Sequence, residues 1–164
     1  AYLSEDRLNL GLVQNQSINM NTAVTVLPRL EKPRFFLSPQ RIKALTVHWI
    51  EQLKTKVSDA ELAVSSLSGG NQQRIALAKW LATEPEVLIL DCPTIGVDVG
   101  AKAGIFDIIR NLADQGMAII LISDEAGEIW MNADHALVLR DGRIYSEVIP
   151  AETTEEALEA IINA

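Results

Sequence analysis

The 164-residue sequence contains a single cysteine, Cys92, which excludes an internal disulfide framework and fits a reducing compartment. Aromatic residues make up only 5% of the chain. Trp49, Trp80 and Trp130 fall on apolar helix faces, the place of core or interface anchors rather than of base-stacking platforms. Long hydrophobic runs are absent: the longest obvious one, residues 117–122, is far too short to cross a bilayer. No basic segment followed by an apolar stretch opens the chain, so no secretory signal is visible. A basic excess is missing too. With 14 Lys and Arg against 22 Asp and Glu, the chain carries no electrostatic footprint for nucleic acid. Internal repeats and low-complexity tracts are likewise absent. What remains, at 48% hydrophobic, is a chain long enough to bury a core as one soluble, cytoplasmic domain.

The net charge of -8 is unevenly placed. Residues 1–120 carry 12 acidic and 12 basic side chains, whereas residues 121–164 carry 10 acidic ones against Arg140 and Arg143 alone. Apolar residues interrupt that acidic end throughout, so it reads as a solvated face rather than a binding tail.

Three segments, residues 87–91, 117–122 and 136–139, are continuous apolar runs. Such runs are expected of parallel strands covered by helices on both faces. Between the first two, Ile105, Ile108, Ile109 and Leu112 recur at helical spacing over residues 101–114, and Gly116 sits where a helix end needs a left-handed residue. Strand, helix and strand make a βαβ unit. Asp141-Gly142 signals a hairpin turn into a strand over 143–149. Thr153-Thr154-Glu155-Glu156 predicts a capping box opening the last helix. Residues 15–84 differ: Pro28, Pro33 and Pro39 punctuate a loop-rich stretch, helical periodicity follows over 41–56, and residues 66–81 read as a turn entering a helix that Glu84-Pro85 stops.

Leu67-Ser68-Gly69-Gly70-Asn71-Gln72-Gln73-Arg74 is the most informative string. Two glycines at a helix start let backbone N–H groups approach an anion where the helix dipole favours it. Ser-Gly-Gly alone reads equally as a plain N-cap. The full string, however, resembles the signature motif of ATP-binding cassette (ABC) proteins, with the Asn-Gln-Gln extension of their sugar importers. Further matches follow in order. Residues 87–91 resemble the Walker B strand, followed by Cys92-Pro93-Thr94. Residues 95–102 resemble the D-loop of the second cassette in ribose- and galactose-type subunits. Residues 133–144 resemble the strand and turn beyond the switch region. At the front, Ala1-Tyr2-Leu3-Ser4-Glu5-Asp6-Arg7 resembles that cassette's Q-loop.

The resemblance implies an α/β fold, a P-loop NTPase-like cassette fragment with a mainly parallel sheet and a helical subdomain. Its parts are a Q-loop-like segment over 1–14, a helical subdomain over 15–84, and a Walker B, D-loop and switch part over 85–164. It also implies ATP and Mg²⁺ as ligands of the full subunit. Ser68, Gly69, Gly70, Asn71 and Gln72 are expected at the ATP held by an opposite cassette, Asp98 at the interface between cassettes, Glu5 at the Q-loop position, and Asp91 at Mg²⁺. The implied partners are the subunit's first nucleotide-binding domain or a second copy, and a membrane permease that holds the protein peripherally on the inner face of the plasma membrane, without membrane insertion.

Several positions depart from the pattern. No Gly-x-x-x-x-Gly-Lys-Ser/Thr string occurs, so the segment carrying the P-loop is expected to lie upstream of Ala1 in a parent protein. Cys92 stands at the usual catalytic glutamate, Asp124 at the usual switch histidine and Glu5 at the usual glutamine. A thiol, protonated at neutral pH with a pKa of about 8.5, is a poor general base. A carboxylate near a γ-phosphate repels it. These losses predict a degenerate cassette that donates its signature to a partner's ATP site and does not hydrolyse ATP itself. The alternative is a non-enzymatic remnant that only docks on or regulates a cassette. A receiver-like signalling domain lacks the acidic pair and lysine it would need. His48 and His135 have no second ligand at metal spacing, and Cys92 reads as a buried structural thiol.

Overall fold

A computed structural model describes residues 1–32 and 36–163; Pro33 lies outside the described residues. The chain divides into two compact units, residues 1–120 and 121–164. The division falls where the charge asymmetry does, so the second unit carries the whole net charge of -8.

The first unit is built on a sheet of order β1-β4-β5. Strand β1 (Tyr2–Leu3) runs parallel to β4 (Val87–Asp91), pairing Tyr2 with Ile89 and Leu3 with Leu90. Leu3, Leu88 and Leu90 are fully buried, each worth about 1.5–3 kcal/mol of apolar transfer. Helix α4 (Val99–Asp114) leads to β5 (Ala118–Ile122), the expected βαβ passage. Gly116 adopts φ +94° after α4, the left-handed conformation predicted for it.

Residues 15–84 form a mostly helical layer. Ser17 caps α1 (Ile18–Ala23) by accepting the Met20 N–H at 3.2 Å. A short antiparallel pair, β2 (Glu31–Lys32) with β3 (Phe36–Leu37), precedes α2 (Pro39–Gln52), where Ser38 is the cap and Pro39 opens the first turn. Helix α2 stops before residue 56, because Lys54 turns left-handed at φ 50°. Helix α3 (Gly69–Leu81) follows. Its central residues Ile75, Ala76, Leu77 and Ala78 are nearly or fully buried.

The second unit holds α5 (Ala126–Asn132), β6 (Ala136–Arg140), β7 (Arg143–Val148) and α6 (Glu155–Asn163), with Leu158 of α6 buried. Asp141 (φ 49°) and Gly142 (φ 73°) both sit left-handed, the conformation a two-residue hairpin turn requires. One expectation fails here. β6 does not join the parallel sheet but pairs antiparallel with β7. Its burial alternates, with Ala136 and Val138 inside and Leu137 and Leu139 outside, so the apolar run reflects two apolar faces rather than two covered ones. The helix cap also shifts by one residue: Thr154, not Thr153, accepts the Ala157 N–H at 3.3 Å.

Among the described residues, no helix is long and apolar enough to cross a membrane.

Candidate functional site

The loop entering α3 lies against the turn that precedes α4. Seen from Gly69, a Cβ would meet the Gly96 carbonyl oxygen at 2.9 Å, and one on Gly70 would meet the Ala101 Cβ at 2.8 Å. Glycine at both positions is therefore a packing requirement. Ser68 occupies the N-cap position but provides no side-chain cap. Its Oγ instead accepts a 3.0 Å hydrogen bond from Asn71 Nδ2. Asn71 Oδ1 in turn accepts the Lys56 N–H at 3.0 Å, and Gln72 Nε2 donates to the Leu67 carbonyl at 3.0 Å. Asn71 and Gln72 thus brace the loop from within, at a helix end whose first N–H groups and dipole favour an anion.

At the carboxyl end of β4, the ligating atoms of Glu5, Asp91 and Cys92 all lie within 4.8 Å of one another. Glu5 is exposed; Asp91 and Cys92 are half-buried. Burial of Cys92, expected from sequence, is thus not found. Its backbone turns left-handed at φ 43°, uncommon outside glycine, and its carbonyl accepts the Ile95 N–H at 3.1 Å. Tyr2 donates its hydroxyl to Asp91 Oδ2 at 2.7 Å. That bond raises the Tyr2 phenol above its usual range, because losing the proton would set two negative charges face to face. The two carboxylates suit a hard divalent ion such as Mg²⁺, which takes one or two carboxylates and keeps its waters. The Cys92 sulfur is the wrong donor for it.

Asp98 caps α4, accepting the Ala101 N–H at 3.0 Å. Asp124 belongs to the second unit and is exposed. Beside it, the Ser123 hydroxyl donates to Glu128 Oε2 at 2.7 Å, and Ser123 Oγ accepts the Glu125 N–H at 3.1 Å.

Arg7 is the principal residue that sequence reasoning missed as a site residue. It is only 8% exposed. Nη1 donates to Gln73 Oε1 at 3.2 Å and to the Ile95 carbonyl at 3.4 Å, so one side chain ties the front segment to α3 and to the turn after β4. Burial pulls its pKa down from the ordinary arginine value. An arginine beside Glu5 and Asp6 reads in sequence as a solvated charge, and its tertiary partners are Gln73 on α3 and the Ile95 carbonyl. Tyr2 stays exposed and was missed because its partner Asp91 lies 89 positions away.

A family model described as "ABC transporter" matches residues 3–95. The chain is 44% identical over 159 residues to the ribose import ATP-binding protein RbsA of Rhodococcus jostii (strain RHA1), covering 96% of this chain and 31% of that protein. It is 42% identical over 161 residues to the xylose import ATP-binding protein XylG of Geobacillus kaustophilus (strain HTA426), again covering 96% and 31%. The chain thus spans about a third of the length of these relatives. Among solved structures, the dimeric post-hydrolysis state of the ATP-binding cassette MJ0796 bound to ADP and Pi superposes with a TM-score of 0.73 at 21% identity, over 91% of this chain and 62% of that one, a likeness of fold.

Proposed function

This chain belongs to the ABC transporter family, and from that premise we propose that it is part of the second nucleotide-binding domain of a sugar importer's ATP-binding subunit, with its signature loop as the working part. In this reading two cassettes close on two ATP molecules, each held by one cassette's P-loop and the other's signature. The observation that carries it is the loop entering α3: Gly69 and Gly70 seat against Gly96 and Ala101, while Asn71 holds Ser68. The result is a rigid row of N–H donors with a hydroxyl alongside, suited to the γ-phosphate on the opposite cassette.

The site at the end of β4 contributes less. Asp91, with Glu5 beside it, would hold Mg²⁺, which would supply positive charge to neutralise phosphate. The position that needs a general base carries the Cys92 thiol, and the switch position carries Asp124, whose charge repels a γ-phosphate. Asp98, at the start of α4, meets the partner cassette. The cassette therefore completes its partner's ATP site and turns over little at its own. The partner is the subunit's first nucleotide-binding domain or a second copy, and a membrane permease recruits the subunit to the inner face of the membrane and couples ATP use to sugar uptake.

The test is a contrast between two substitutions in the full-length subunit. Ser68→Arg fills the partner's phosphate site and abolishes transport, whereas Cys92→Ala leaves transport nearly unchanged. Equal damage from the two would overturn the assignment of the working site to the signature loop.

A further inference from the structure

Arg7 is a buried cation that the proposed function does not use. The residue is 8% exposed; its guanidinium has no carboxylate partner among the described residues and bonds only to an amide oxygen and a backbone carbonyl. Its Nε is buried with no hydrogen-bond partner at all. Buried charges are normally paired, whereas this one is held by neutral acceptors alone. The side chain also has a specific address. Nη2 lies 3.4 Å from the point where a Cβ on Gly69 would sit and 3.6 Å from the corresponding point on Gly96. The charge therefore stands beside the first residue of α3 and the turn that precedes α4. The 13-residue helix α3 adds its dipole at the same place.

We propose that Arg7 is the cationic backing of an oxyanion site at the N-terminus of α3: it fixes the Gly69–Gly96 contact and supplies the positive charge that a phosphate-class anion meets through the N–H groups of Gly69, Gly70 and Asn71. Arg7 is a positioning residue in this scheme, reaching the anion through the loop rather than touching it. The inference rests on the reading of residues 68–70 as a phosphate-contacting loop and adds to it a charge from the front segment. An anion on the loop and the position of the front segment are then coupled, because one side chain serves both.

The experiment is a titration of the ¹⁵N-labelled chain with inorganic phosphate at constant ionic strength, following the Gly69, Gly70 and Asn71 amides and the Arg7 Nε–H. The native chain shows saturable shifts at the three amides, and the Nε–H moves with the same midpoint, which a purely structural arginine would not do. Arg7→Met weakens the midpoint roughly tenfold, the scale of one pKa unit from a nearby opposite charge, whereas Arg7→Lys retains most of the affinity. If Arg7→Met disturbs folding, the native Nε–H signal and the Arg7→Lys midpoint still decide. A native Nε–H that stays fixed while the amides saturate, or an unchanged midpoint in folded Arg7→Met, overturns the role of Arg7 and leaves the signature loop standing. Absence of saturable shifts in the native chain overturns the inference itself, and the Ser68→Arg transport experiment then judges the underlying reading independently.

Discussion

The hydroxyl of Tyr2 and the carboxylate of Asp91 share a 2.7 Å hydrogen bond across the β1–β4 pair. The acid at the end of β4 is therefore held by a residue 89 positions earlier, and the orientation of one Asp91 oxygen is set before any ligand arrives. The same bond raises the Tyr2 phenol. Asp91→Asn removes the charge that opposes phenolate formation, so it lowers the alkaline titration midpoint of one of the chain's two tyrosines, Tyr2 and Tyr145. Ultraviolet difference titration, with Tyr145→Phe to isolate Tyr2, checks this. An unshifted Tyr2 in Asp91→Asn sinks the bracing role.

The contact of α3 with α4 makes a second prediction. Gly70→Ala brings a Cβ to 2.8 Å from the Ala101 Cβ, and overpacking of this kind costs about 1–3 kcal/mol. The better helix propensity of alanine returns about 1 kcal/mol, so a net loss of stability is expected. Gly104→Ala is the control on the neighbouring helix. Its Cβ would meet Arg74 Nη2 at 2.6 Å, but that atom ends a flexible side chain, which can swing aside and give up the bonds that Nη1 donates to the Leu53 and Lys54 carbonyls. Urea denaturation should rank Gly70→Ala below Gly104→Ala; the reverse order would mean that α3 and α4 do not pack as described.

Local chemistry was the legible part of this chain. Gly116, Asp141 and Gly142 took left-handed backbones where the turn patterns demanded them, and the runs at 87–91 and 117–122 became strands of one sheet. What escaped was non-local. Strand β1 is only two residues long and has no pattern of its own; it exists because β4 pairs with it. The fate of β6 depended on which neighbour it met, since Leu137 and Leu139 look as apolar as Val138 until the hairpin with β7 turns them outward. At the site, the glycines of the signature string were readable as an anion cradle, but Arg7 and Tyr2 acquire their roles only when distant segments meet.

Asp98 carries two assignments that one pair of variants separates. As the cap of α4 it accepts the Ala101 N–H, and Asp98→Ala therefore costs about 1 kcal/mol. Asp98→Asn keeps a capping oxygen and retains nearly all of that stability while losing the charge. In the full-length subunit, Asp98→Asn should lower ATP turnover if the carboxylate also meets a partner cassette. Native turnover in a chain of native stability would confine Asp98 to its capping role.

Lys79 provides a pH-dependent stability with a defined sign. Its side chain is 8% exposed and donates to the Gly11 carbonyl, with no carboxylate partner among the described residues. Desolvation lowers its pKa from the ordinary 10.5, because burial disfavours the charged form. As pH rises, folded Lys79 gives up its proton before the unfolded chain does. Between the lowered value and 10.5 the unfolded state binds more protons, and stability rises with pH across that window, levelling off above it. Lys79→Met removes the titration. The urea midpoint of the native chain should therefore climb relative to Lys79→Met as pH approaches 10.5 from below, the difference between the two curves isolating Lys79 from other alkaline groups. Parallel curves, or a native midpoint that falls relative to the variant, would show that the ammonium is not desolvated beside the Gly11 carbonyl.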